Sequence, residues 1–157
     1  MYGVNRSMIK IICVGKIKEK YLVDAIKEYL KRLSKYTKVN IIEVPDENFD
    51  IKKTLIKEKD SILKYIDEKD YIITLDIEGK NISSIELAEK IKNIQINYSD
   101  ICFIIGGSYG LHKDIKEKSN YSLSFSKMTF PHQLFRVMLL EQIYRTYKIN
   151  NNESYHK

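Results

Sequence analysis

Three glycines stand within five positions in Ile105-Gly106-Gly107-Ser108-Tyr109-Gly110-Leu111, directly after the apolar run 101–105. Glycine has no Cβ, so such a loop can take positive φ and bring backbone amides close to a ligand. A dinucleotide loop needs G-x-G-x-x-G after the first strand of its unit, with an acidic residue about 20 positions on. Here the spacing is G-G-x-x-G, after the fourth strand-like run, and no Gly-Lys-Ser/Thr follows to make a phosphate loop. Two readings stand for this segment: a tight turn, or a loop that meets a ligand through its backbone. In "LDIEGK" (75–80), Asp76 and Glu78 have the chemistry of a general base, but acids at strand ends more often face solvent or cap a turn. Gly79 reads as a turn residue. Glu141 and Arg145, four apart, read as a helix-surface pair worth about 0.2–0.5 kcal/mol. His112, His132 and His156 are far apart in sequence, without cysteine or carboxylate partners at ligand spacing, which argues against a metal centre. His132, beside Pro131 at a helix start, reads as structural. Cys13 and Cys102 lie in apolar runs and read as small buried hydrophobes in a reducing compartment, not as a redox pair.

Elements must hold these residues in place. Apolar, strand-like runs at 8–15, 39–45, 71–76, 101–105 and 121–125 alternate with segments of helical spacing. That alternation predicts an α/β fold with a mostly parallel sheet and helices on both faces. Asp50 is placed to cap a helix through Leu55, Ile62 and Ile66, and Ser83 or Ser84 to cap a helix after the loop 78–84. From His132 to about Lys148 the apolar residues cover more than the single stripe of a surface helix. Such a helix lies deep in the core or meets another chain, and the second case predicts a homodimer. Ligands on parallel sheets sit outside the carboxyl ends of the strands. That rule selects the loops after Asp76, Ile105 and Phe125.

The chain has 157 residues, 43% hydrophobic and 31% charged, which suits a single domain with a real core. Residues 1–7 precede the first strand-like run and read as an upstream extension or tag, leaving the domain at 8–157. No apolar run reaches the roughly 20 residues of a membrane span, and the start lacks a signal peptide's apolar core, so a cytoplasmic location is expected. The net charge of +6 permits a polyanionic partner without specifying one.

"FIIGGSYGL", "LSFSKMTFPHQLFRVMLLEQIYR" and the terminal "YHK", with "VGKIKEKY" and "YTKVNIIEVPDE" upstream, resemble the RlmH family of SPOUT-class methyltransferases that act on large-subunit ribosomal RNA. The resemblance runs from Met8 to Lys157. It implies a C-terminal trefoil knot, a rare topology that periodicity does not reveal, and a homodimer. It also implies S-adenosylmethionine as cofactor and, as reaction, N3-methylation of a pseudouridine of 23S rRNA in the assembled ribosome. Position by position it implies cofactor contacts at Leu75, at Gly106, and at Phe125, Ser126, Lys127, Met128, Thr129 and Phe130. Adenine would be met by backbone groups, with apolar side chains such as Leu75 and Met128 around its ring. A valine at Gly106 is expected to fill the cofactor space. Removal of the N3 proton calls for a base or an anion-stabilising cation. The candidates are His156 as base, Tyr155 as positioning or stacking group, and Arg136 or Arg145 as holder of an anion or phosphate. The tail would act in its own subunit or in a partner's. Alternatives are a SPOUT methyltransferase of another RNA position and a non-enzymatic ribosome-binding factor. A flavodoxin-like nucleotide binder is disfavoured, because "GKIKEKY" after the first strand offers no phosphate cradle.

Overall fold

A computed structural model describes residues 7–156 of the chain. In order, the elements are β1 (Met8–Val14), α1 (Lys20–Leu33), β2 (Lys38–Val44), α2 (Ile51–Leu63), β3 (Tyr71–Asn81), α3 (Ser84–Asn97), β4 (Asp100–Ile105), α4 (Lys113–Lys118), β5 (Tyr121–Ser124) and α5 (His132–Asn150). The strands form one five-stranded sheet in the order β2-β1-β4-β3-β5, with every pairing parallel. Strand residues alternate between two cores because successive side chains point to opposite faces. Ile9, Ile11, Ile101, Phe103 and Ile73 pack against α1, α3 and α5, while Ile12, Ile72, Cys102 and Ile104 pack against α2 and α4. The expected α/β arrangement with helices on both faces is what the chain adopts. Among the described residues no helix is long and apolar enough to cross a membrane.

Local chemistry explains the boundaries. The Asp50 side chain accepts from the Lys53 amide at 2.9 Å and starts α2. Ser83 and Glu86 form a reciprocal capping box that starts α3, worth about 1 kcal/mol. Helix α5 buries Leu139, Leu140 and Ile143 completely, roughly 1.5–3 kcal/mol for each side chain. It packs against both α1 and α3. Only its first turn is open, where Leu134 is 40% exposed, and every later residue of the helix is buried or half-buried.

Several expectations need correction. Strand β3 does not stop at Asp76. It runs to Asn81 through a register break, after which Lys80 and Asn81 pair with Leu123 and Ser124 of β5. Gly79 is therefore a strand residue; a Cβ there would stand 2.8 Å from the Ser122 backbone, so only glycine permits the approach. The buried face of α2 is Thr54, Glu58 and Ile62, with Leu55 only half-buried. Two of these are polar because they hold the preceding loop: Thr54 Oγ1 accepts from the Phe49 amide and Glu58 from the Glu47 amide. Ser7 is within hydrogen-bonding distance of Thr37 Oγ1 and accepts a further bond from it at its carbonyl, so the chain just before β1 is tied to the start of β2. Residues 1–6 lie outside the described residues. Cys13 and Cys102 are free and buried, on opposite faces of the sheet. Burial pushes both thiols up to about 12, which keeps them protonated and inert.

Candidate functional site

The carboxyl ends of β3, β4 and β5 surround a cavity of about 260 Å³. Its wall is mostly apolar, with Leu75 and Leu123 from the strands, Leu111 after the glycine loop, and Phe125, Phe130 and Phe135 from the last loop and α5. The rings of Phe125 and Phe135 meet at 4.7 Å and those of Phe130 and Phe135 at 6.4 Å, a preformed aromatic corner. The loop after β5 is fixed by its own polar groups. Asn81 Nδ2 donates to the Ser124 carbonyl, Ser124 Oγ to the Ser126 carbonyl, and the Met128 amide to Ser126 Oγ. Asp76 and Lys116 also line the cavity and face each other at 3.3 Å.

The glycine segment is a closed turn, and its backbone forms one wall of this cavity. The Gly110 amide donates to the Gly107 carbonyl at 3.0 Å, and Gly110 has φ +78°. A Cβ at Gly106 would lie 2.5 Å from the Gly110 carbonyl oxygen. The expectation that a side chain at Gly106 would fill the cofactor space is thus wrong in its direction: the side chain would strike its own loop. A Cβ at Gly107 would meet Val14 at 3.0 Å and the Glu58 carboxyl at 3.3 Å. The segment is thus a turn whose residues also line the cavity.

A second cluster forms where the tail folds back on α5. Tyr155 Oη donates to Glu141 Oε1 at 2.6 Å, and its ring lies edge-on to Tyr144 with the Arg145 guanidinium 4.9 Å from its centre. Arg145 stands 3.6 Å from Glu141, the helix pair read from the sequence, and its Nη1 is 3.1 Å from His156 Nδ1. A guanidinium only donates, so in this contact Nδ1 is the acceptor. Glu153 ties the turn to Lys148 and Tyr36 at 2.9 and 2.7 Å. The hydrogen bond to Glu141, with burial and the carboxylate charge, pushes the Tyr155 phenol above its ordinary value of 10.0, so it stays a donor at neutral pH.

The remaining candidate is elsewhere. Arg136 is 2% exposed; its Nη1 binds Glu43 at 2.6 Å and its Nη2 donates to the Gly15 carbonyl. This corrects its reading as an anion or phosphate holder, because both terminal nitrogens are committed inside the protein. Burial pushes the Glu43 carboxyl up, but Arg136, the Ile17 amide and Lys16 outweigh that and hold it below the usual carboxylate range.

Against this geometry the comparisons are decisive for family. The family described as "Predicted SPOUT methyltransferase" matches residues 8–156.

The chain belongs to the SPOUT methyltransferase family.

Two relatives narrow the grouping. "Ribosomal RNA large subunit methyltransferase H" of Clostridium botulinum (strain Alaska E43 / Type E3) is 58% identical over 157 residues, 95% of this chain and 99% of that protein. The protein of the same name from Clostridium novyi (strain NT) is 57% identical over the same shares. A solved structure of a probable methylase family protein from Haemophilus influenzae Rd KW20 superposes with a TM-score of 0.55 at 16% identity, covering 95% of this chain and 70% of that one, a likeness of fold alone. In this SPOUT chain Leu75, Gly106, Phe125, Ser126, Met128, Thr129 and Phe130 all line the one cavity, whereas Lys127 is exposed and does not. Arg145, Tyr155 and His156 come together, but outside its lining. Sequence reasoning missed Lys116, Phe135 and His132 as lining residues. Lys116 and Phe135 reach the cavity only through tertiary packing. His132 carried a signal that was undervalued, its place directly after the 125–130 loop.

Proposed function

We propose that this chain is an S-adenosylmethionine-dependent methyltransferase of large-subunit ribosomal RNA, acting on N3 of a pseudouridine in the assembled ribosome, as a homodimer whose C-terminal part threads a trefoil knot. The observation that carries the reading is the single cavity enclosed by the three strand-end loops. Its chemistry suits the cofactor. A nucleobase and ribose need an apolar, aromatic wall and backbone donors and acceptors, and both are present. A phosphate would need uncommitted cations, and Lys116 is engaged by Asp76. When bound, the cofactor supplies a methyl group already activated on a sulfonium, so the protein's work is placement.

The chain's own residues divide that work. The closed glycine turn and the Ser124–Ser126 hydrogen bonds fix two walls before any ligand arrives, which lowers the ordering cost on binding. The phenylalanine corner excludes water from the reacting region. Loss of the N3 proton falls to the Arg145, Tyr155 and His156 cluster. Tyr155 donates, Arg145 stabilises negative charge, and His156 takes the proton only once Nδ1 leaves Arg145. Because this cluster stands outside the lining of its own cavity, the reading gives it to the partner's cavity in the dimer.

The test is transfer of a labelled methyl group from S-adenosylmethionine to ribosomes from a strain lacking the gene, followed by nucleotide mapping. Label on N3 of one large-subunit pseudouridine is expected. Label at another nucleotide would replace the target, and absence of both transfer and cofactor binding would favour a non-enzymatic ribosome-binding role.

A further inference from the structure

A second cavity, about 830 Å³, opens at the carboxyl ends of β1 and β2. It shares one residue with the first: His132, the opening residue of α5, lines both. We propose that this groove receives the RNA strand that carries the acceptor base, with Lys16 and Lys18 on its phosphates and Tyr21 stacking on a neighbouring base. The inference rests on the methyl-donor reading of the first cavity, since a strand here passes the junction at His132.

The loop 15–18 is what makes the groove a built site. It lies between β1 and α1 without regular structure, yet it is held on every side. The Gly15 amide donates to the Val44 carbonyl at 2.8 Å, and Gly15 takes φ +94°. The Ile17 amide donates to Glu43 at 3.0 Å and the Lys18 amide to Gln133 Oε1 at 3.3 Å. Arg136 closes the clamp by binding Glu43 and the Gly15 carbonyl together. Burying an ion pair is costly and needs such extra bonds to offset its desolvation. Here the clamp fixes a short loop whose two lysine side chains remain exposed. Tyr21, 69% exposed at the start of α1, stands at the same mouth. Aromatic groups beside lysines are the usual equipment for single-stranded nucleic acid: stacking for bases and cations for the backbone. Glu19, Glu43 and Asp46 also line the groove; Glu43 is paired with Arg136, so the remaining acids are Glu19 and Asp46, and the phosphates belong at the Lys16 and Lys18 rim. The rival occupant is a second copy of the chain, drawn by Leu134 and Tyr21.

The experiment measures binding of the full-length protein to ribosomes from a strain lacking the gene, across a series of salt concentrations. The Lys16→Ala/Lys18→Ala double variant is expected to bind more weakly, with the slope of log affinity against log salt reduced by about 1 for each lysine. Tyr21→Ala should weaken binding roughly 5- to 100-fold with little change in slope, as for a lost stacking contact. Cofactor affinity should match the parent in both, since these side chains lie outside the first cavity, and circular dichroism should show both variants folded. A parental slope and affinity in the double variant would overturn the proposal. So would a shift to monomer in size-exclusion chromatography, which would give the groove to a second copy. Binding is read independently of methyl transfer, so a parent that binds ribosomes without methylating them refutes the activity and leaves the groove decided by the slopes.

Discussion

Glu58 carries a carboxyl in a residue only 3% exposed, between the Gly107 backbone and the amide of Glu47, from which it accepts at 3.2 Å. Burial, together with nearby Asp46, pushes it above the ordinary 4.5, and the Glu47 hydrogen bond only partly opposes the rise. Below the unfolded value the group is neutral in both states and its burial carries no charge penalty. As pH rises through the folded value, the folded state must hold a buried carboxylate and stability is lost. Glu58→Gln keeps an acceptor for the Glu47 amide without the charge. It should melt higher than the parent at pH 7, with the difference shrinking toward pH 4, as read by thermal denaturation at both values. An equal difference at both pH values would contradict this account. The sequence did not point to Glu58. In "IKKTLIKEKD" it reads as one more solvated charge, and only the polar anchoring of the loop before α2 turns that helix face inward. Arg136 was misread for the related reason that a guanidinium's partner, here Glu43, lies 93 positions away.

The glycine turn shows at the scale of an element how a cavity wall and a structural constraint coincide. Gly106 faces the Gly110 backbone at a distance no real Cβ tolerates. Gly106→Ala should cost roughly 1–3 kcal/mol through forced displacement, and it should weaken S-adenosylmethionine binding because the displaced strand of the turn is a cavity wall. Ser108→Ala, at the exposed tip of the same turn, should leave melting unchanged. Thermal denaturation and titration calorimetry on the pair check both statements; a Gly106→Ala protein with parental melting and affinity would contradict them. The position of this loop was legible beforehand, since strand alternation marked β4 and the strand-end rule marked its carboxyl end. The path of β3 was not. A run reading "LDIEGKN" looks like the end of a strand, and the recovery of pairing after Leu75 depends on Gly79 meeting β5, a partner more than 40 residues on by sequence.

For the whole molecule, the proposed reaction requires the tail cluster of one place to meet the cavity of another. Local patterns such as caps, alternation and an over-wide apolar face on α5 were enough to place five strands and the cavity between them. The separation of the tail cluster from that cavity appears only with the fold in hand. Mixed dimers test its meaning. One subunit would be cut after Ser154, the other would carry Leu75→Trp to block the cavity, and each homodimer should be inactive. If tails act across the dimer, the mixed species has one complete site and recovers up to half the parental rate; if each tail serves its own chain, it recovers none. The two cysteines extend the same thinking to how the molecule comes apart. Cys13 sits under the layer of α1, α3 and α5, and Cys102 under that of α2 and α4. Each is shut off from solvent and from the other. An alkylating reagent can reach a thiol only when its layer lifts, so the two labelling rates act as separate clocks for the two sides of the sheet. Equal rates mean that the protein opens all at once, and unequal rates name the side that loosens first.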